Sequence, residues 1–389
     1  MRVHLAGRVE RIAPFHVMAL LARARELQDQ GHDIIHLEVG EPDFPTPAAV
    51  IAAANDALAN GETRYTAALG IPQLRQKIAD FYLHKYQLTI PASRIAVTPG
   101  ASGALQLAFA ASLNSDDELM LIEPGYPCNR HFAELFGIRP VIINTLKSNG
   151  YLPTLAELET ARTGKTRGLL LASPGNPTGT LIPKPLLLEI IGFCQRYHIQ
   201  LFMDEIYQGL VFDCDQADTV LQYEQHAWVI QSFSKYFHMT GWRLGWLVMP
   251  EGYEDAVNRI AQNIFLCPPS MAQCAALRAF DADVIALLEQ RRRELLQRRD
   301  VLRQGLERLG FGIDAAPDGA FYLYCDASKF TDDAMGFCQQ LLEQAGIAAT
   351  PGEDFGGAHP DTSIRFAYTQ PEAILAEALR RLEAFVSAI

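Results

Sequence analysis

From Arg94 onward, short unbroken apolar runs alternate with longer segments of helical periodicity. The runs are Ile95-Ala96-Val97, Leu119-Met120-Leu121-Ile122, Val141-Ile142-Ile143, Leu169-Leu170-Leu171, Leu201-Phe202-Met203 and Trp228-Val229-Ile230, with Leu244 to Met249 as one more. A run that is apolar at consecutive positions has both faces to bury, which is the pattern of a parallel strand covered on both sides. Strands of this kind separated by helical segments predict an α/β fold, a mostly parallel central sheet flanked by helices. Upstream, Leu20, Leu21, Ala24 and Leu27 share one side of a helix expected over Pro14 to Gln30. A short strand is expected at Ile34 to Leu37, then helices over Pro47 to Leu58 and from Pro72 to Tyr82. After Phe280 a long helical pattern runs to about Leu309. Phe311 to Ile389 holds the shorter strands Ala320 to Tyr324 and Ser363 to Ala367 and a final helix, a smaller α+β unit.

In a parallel sheet the ligand site lies at the carboxyl ends of the strands. Six such ends carry, or lie near, polar residues suited to one ligand. Thr98 to Gly103 is a turn of small residues entering a helix expected from Ala104 to Leu113. Free backbone N–H groups there make either a phosphate cradle or a plain glycine-rich cap. Tyr126 follows the second run and Asn176 lies between Gly175 and Pro177 after the fourth. Asp204 ends the fifth run, where an unpaired carboxylate is costly, and Tyr207 follows it. After the sixth run comes Ser232-Phe233-Ser234-Lys235, with Arg243 eight residues beyond the lysine. An amine at the end of a buried strand loses hydration, which favours its neutral, nucleophilic form. Hydroxyls and a guanidinium beside it suit a phosphate.

In this order these residues resemble the class I and II aminotransferases, which are fold-type-I enzymes dependent on pyridoxal 5'-phosphate (PLP). The resemblance runs from Tyr65 to Arg243 without a gap. It implies that Lys235 carries the cofactor aldehyde and moves the substrate α-proton, and that Asp204 faces the pyridine nitrogen. It implies that Tyr207 and Asn176 reach the phenolic oxygen and that Tyr126 stacks on the ring. Ala101, Ser102, Ser232, Ser234 and Arg243 are implied at the phosphate, together with Tyr65 of the other subunit of a homodimer. Gly40, in the loop Gly40-Glu41-Pro42-Asp43-Phe44, and Asn176 are implied at the substrate carboxylate, with Arg365 as its bidentate partner. An arginine inside an apolar strand needs an anion, either this carboxylate or a structural one. The implied organisation is an N-terminal segment, 1–45, packed with a small α+β domain, 281–389, around a large cofactor domain, 46–280.

Transamination between an L-amino acid and a 2-oxo acid is the expected reaction. A PLP-dependent C–S lyase or a cofactor-binding regulatory module is the alternative. The positions that read the side chain in the family are matched by Phe15, His16, Met18 and Ile264 to Cys267. They offer no arginine for a distal carboxylate, so neutral, apolar or aromatic donors are expected over aspartate. Composition adds limits. A net charge of −12 argues against a general grip on nucleic acid. Six arginines between Arg291 and Arg303 are interleaved with Glu289, Glu294 and Asp300, and are read as a solvated helix face. Seven scattered cysteines, never in a C-x-x-C pair, fit reduced thiols in a cytoplasmic protein and no metal site. No membrane span and no signal-peptide core are apparent.

Overall fold

The computed structural model describes residues 4–212, 218–313 and 315–388; Cys214 lies outside them. The chain begins with α1 (His16–Asp29), β1 (Ile35–His36), α2 (Ala48–Ala59) and α3 (Pro72–Tyr86). The central sheet then forms from β2 (Ile95–Thr98), β3 (Glu118–Glu123), β4 (Arg139–Asn144), β5 (Thr166–Ala172), β6 (Gln200–Asp204), β7 (Trp228–Ser232) and β8 (Gly245–Val248). Its order is β2-β8-β7-β6-β5-β3-β4. All neighbours are parallel except β8, which runs against both β2 and β7.

The unbroken apolar runs have the cause their pattern implies. Leu169 and Leu171 enter one core and Leu170 the other; Met203 and Val229 join the first, Phe202, Trp228 and Ile230 the second. Successive side chains of a strand point to opposite faces, so a strand between two cores has no polar face.

The helix α4 (Gly100–Ser112) starts four residues earlier than its periodicity predicts. The small residues from Gly100 to Gly103 form its first turn rather than a loop before it. The end of β4, at the sheet edge, brings no residue to the cleft described below. The expected set of six functional strand ends is therefore five. Arg243 reaches the same edge of the sheet because it precedes the reversed strand β8.

Beyond the long helix Ala282–Leu309 lie β9 (Tyr322–Asp326), β10 (Ile347–Ala348), β11 (Thr350–Pro351) and β12 (Ser363–Ala367). β12 pairs antiparallel with both β9 and β11. β9 starts two residues later than expected, because the chain still turns at Ala320, whose φ is +62°. β1 pairs with β10, and the Ala367 N–H donates to the Leu37 carbonyl at 2.7 Å. The long helix departs from the expected solvated face. Arg298 and Arg299 are buried; Arg298 bonds Asp43, Glu294 and the Thr369 carbonyl. A buried guanidinium needs several acceptors, and here they come from three segments that meet at the helix.

Candidate active site

The carboxyl ends of the central strands, the Gly40 loop, α1 and the β9–β12 sheet enclose a cleft of about 390 Å³. Of the residues expected at the cofactor and the substrate carboxylate, all line it except Tyr65. Tyr65 is 81% exposed on the surface of its own chain.

Lys235 stands at the centre. Its Nζ donates to the Gly40 carbonyl at 2.7 Å and lies 5.6 Å from the Tyr207 ring centroid. Gly40 is a glycine for a local reason: a Cβ there would overlap the Tyr322 hydroxyl. Tyr322, missed by sequence reasoning, shares a 2.9 Å hydrogen bond with the Tyr207 hydroxyl. Its strand was legible, but nothing in the local pattern separates an inward site tyrosine from a core one.

Asp204 is buried, and its carboxylate accepts from the Ile206 N–H at 3.2 Å. Burial pushes its carboxyl up to about 6, against the pull of that N–H and of the Lys235 charge. The folded chain therefore holds the Asp204 proton more tightly than the unfolded chain does. In cofactor-free protein this carboxylate costs stability increasingly as pH rises from about 4 through 6. Asp204→Asn keeps the acceptor for Ile206 and removes the charge. Cofactor-free Asp204→Asn is expected to melt above the wild type at pH 7.5, with the gap closing near pH 4. A gap independent of pH in calorimetry would contradict this account.

Facing Lys235, the first turn of α4 has no side-chain cap, which leaves its leading N–H groups directed outward. The hydroxyls of Ser102, Ser232 and Ser234 line the same cleft as Arg243. Arg243 donates to the Thr240 carbonyl at 3.1 Å and, among the described residues, has no carboxylate partner. Gly100 makes room for it, since a Cβ would stand 2.6 Å from an Arg243 nitrogen. Gly245 in β8 lets that strand approach α4, where a Cβ would meet the Ala101 nitrogen at 2.8 Å. An uncapped helix start, hydroxyls and an uncompensated guanidinium form a cradle for a dianion.

The second uncompensated guanidinium is Arg365 in β12, which is 5% exposed. It donates to Asn176 Oδ1 at 2.9 Å and to the Glu38 carbonyl at 2.6 Å, and its Nε has no partner. The structural carboxylate that could have explained it is absent among the described residues. Tyr322 and Phe355 lie under its plane, at 4.1 and 4.8 Å.

The outer wall comes from α1. Phe15 offers no cap, and Asp354 accepts instead from the His16 and Val17 N–H groups at 2.7 and 2.8 Å. This holds Phe15, Val17, Met18 and Leu21 against the cleft, while the His16 side chain stays out of it. Ile264 to Cys267, expected to read the side chain, does not border the cleft of its own chain. Ile264 and Leu266 are exposed there.

The cleft thus offers a lysine for an aldehyde, a buried acid for a ring nitrogen and a cradle for a phosphate, and PLP carries all three complements. The architecture is that of the fold-type-I PLP enzymes. The model for "Aminotransferase class I and II" matches residues 32–382, and the chain belongs to this family of PLP-dependent aminotransferases. A valine–pyruvate aminotransferase of Mycobacterium tuberculosis is 38% identical over 95% of this chain and 96% of its own. An aspartate/prephenate aminotransferase of Thermus thermophilus is 33% identical over 97% of each. Among solved structures, an aminotransferase from Mycobacterium tuberculosis superposes with a TM-score of 0.96, at 37% identity and full coverage of both chains. Aspartate aminotransferase from Thermus thermophilus with maleate gives 0.92 at 33% identity, covering 99% of this chain and 100% of that one.

Proposed function

We propose that this aminotransferase prefers neutral donors with apolar or aromatic side chains and passes the amino group to a 2-oxo acid such as pyruvate or 2-oxoglutarate. The observation that carries the reading is the apolar part of the cleft wall, to which Phe15, Val17, Met18, Leu21, Leu105 and Phe355 contribute. The arginines on the cleft are Arg243 and Arg365, and both have tasks at the inner end. A distal carboxylate would meet apolar surface without a partner, at a cost in desolvation. The valine–pyruvate relative supports this preference and the aspartate relatives oppose it. The test is a panel of single half-reactions with valine, phenylalanine, alanine and aspartate. Valine or phenylalanine should exceed aspartate at least about tenfold in kcat/KM, in line with 1–3 kcal/mol for pocket complementarity. Aspartate fastest would overturn the preference.

Bound PLP supplies an aldehyde that condenses with amines and a ring that accepts electrons. The Lys235 amine would hold that aldehyde and would serve as the base for the proton on the substrate α-carbon. Asp204 would balance a protonated ring nitrogen, Tyr207 and Asn176 would serve the phenolic oxygen, and Tyr126 would pack against the ring. Ala101, Ser102, Ser232, Ser234 and Arg243 hold the phosphate. Arg365, Asn176 and Gly40 fix the substrate carboxylate, which orients the α-C–H bond toward Lys235. Asp354 positions α1, and Tyr322 supports Tyr207.

The same proposal has three parts of the chain, 1–45, 46–280 and 281–389, and a homodimer in which Tyr65 reaches the partner's phosphate site. The exposure of Tyr65 supports this. Tyr65→Phe is expected to weaken cofactor binding about tenfold or more, the scale of one hydrogen bond to a charged group. Mixing Tyr65→Phe with Lys235→Ala chains should regenerate sites with both residues intact. A fully active monomer in sedimentation would defeat the shared site. Among the described residues no helix is long and apolar enough to cross a membrane. Residence in the cytoplasm is proposed from the scattered spacing of the cysteines, never in a C-x-x-C pair, and is checked by cell fractionation.

A further inference from the structure

A second cavity, of about 500 Å³, includes Gln208 and Tyr236 in its walls, the residues that follow Tyr207 and Lys235 in sequence. Phe81, Phe280 and Ile285 add apolar surface, and Lys85 enters from α3. The Lys85 Nζ lies 5.4, 5.6 and 5.3 Å from the ring centroids of Phe81, Tyr86 and Tyr236. Among the described residues it makes no hydrogen bond and no ion pair. The other charges in this wall are engaged. Lys77 pairs with Asp281 at 3.2 Å, and Asp80 accepts from Gln76 at 2.9 Å. Glu289 accepts from Arg292 with one oxygen at 2.8 Å and from the Tyr236 hydroxyl with the other at 2.7 Å. Lys85 is left as a cation among aromatic faces, which compensate a charge only in part, and feels the charge of Glu289 without a direct contact to it.

We infer that this cavity is a second binding site, for a small carboxylate with an apolar or aromatic body. The carboxylate sits on Lys85 and the body packs against Phe81, Tyr236, Phe280 and Ile285. Gln208, which borders the cavity, is 3% exposed and its Nε2 donates to the Asp218 carbonyl at 2.8 Å. Gln208 also borders a smaller cavity beside Asp218 and Tyr223; only the larger one joins it to Lys85. Burial pushes the Lys85 ammonium down to about 8, so it remains mostly charged near neutral pH. A strongly hydrated inorganic anion suits these walls poorly, because the rings return little for its lost water.

The probe is 3-phenyllactate, which has a carboxylate, a hydroxyl and a ring but no amino or oxo group to exchange. Calorimetric titration of the holoenzyme should give two equivalents per chain, one of them at the Arg365 site. Arg365→Ala should retain one equivalent, and Lys85→Met in that background should weaken it about 10- to 100-fold, the scale of a charged hydrogen bond. Lys85→Met alone should keep its melting temperature and its transaminase rate; Lys85→Gln serves the same test if the thioether packs badly. No binding to Arg365→Ala overturns the site, as does binding there that survives both Lys85 substitutions. Failure of this site leaves transamination in the wild type untouched, so the two readings fall separately.

Discussion

Lys235→Ala is expected to lose about 10⁴-fold in transaminase turnover, the upper range for removal of a positioned acid–base group. The residue is surrounded by groups that cannot replace it. The nearest other cationic side chains on the cleft are Arg243 and Arg365, and arginine is not deprotonated in proteins, so neither serves as a base. Asp204 is buried and Tyr207 is held far above neutrality by burial. The purified variant should also lose the visible band of the lysine-linked cofactor while still binding added PLP through the Arg243 cradle. Turnover within tenfold of the wild type would place the proton-moving group elsewhere. Addition of a small primary amine should restore part of the rate, which a merely misfolded variant would not allow.

Arg365→Ala should lower kcat/KM roughly 10²- to 10³-fold, as expected when one partner of a buried, hydrogen-bonded charge pair is removed. Most of the loss should appear in KM, because the carboxylate is held in ground and transition states alike. Arg365→Lys should recover little, since an ammonium cannot reproduce the planar fork that Asn176 and the Glu38 carbonyl already orient. The sharpest readout compares valine with isobutylamine, which lacks the carboxylate. Their ratio of kcat/KM should collapse toward one in Arg365→Ala. An unchanged ratio would show that Arg365 is structural, as its place within a strand would also allow.

Lys235 and Arg365 are both visible in the sequence as polar residues set against apolar strands. The strands of the central sheet were readable because a strand between two cores must be apolar at every position. That left the polar residues at strand ends as exceptions needing a reason. Lys235, Asp204 and Asn176 stand at such ends, and their order along the chain carries the family pattern. The same logic overreached at β4, where an edge strand presents its end to another surface. It also missed the burial of Arg298 and Arg299: they do pair with Glu294 and Asp300 of their own helix, but further acceptors come from residues 43, 317 and 369.

The sequence by itself determined the α/β architecture, the PLP chemistry and the inner end of the cleft, because each depends on local patterns of burial and on motifs within a few residues of a strand end. Only the tertiary structure decided that Tyr322 supports Tyr207, that Asp354 caps α1 and that Arg365 has no structural carboxylate. It alone left Lys85 without a direct ion pair among the described residues. Each of these is a relation between segments far apart in the chain, where a charge finds or lacks its partner only once the fold brings the segments together.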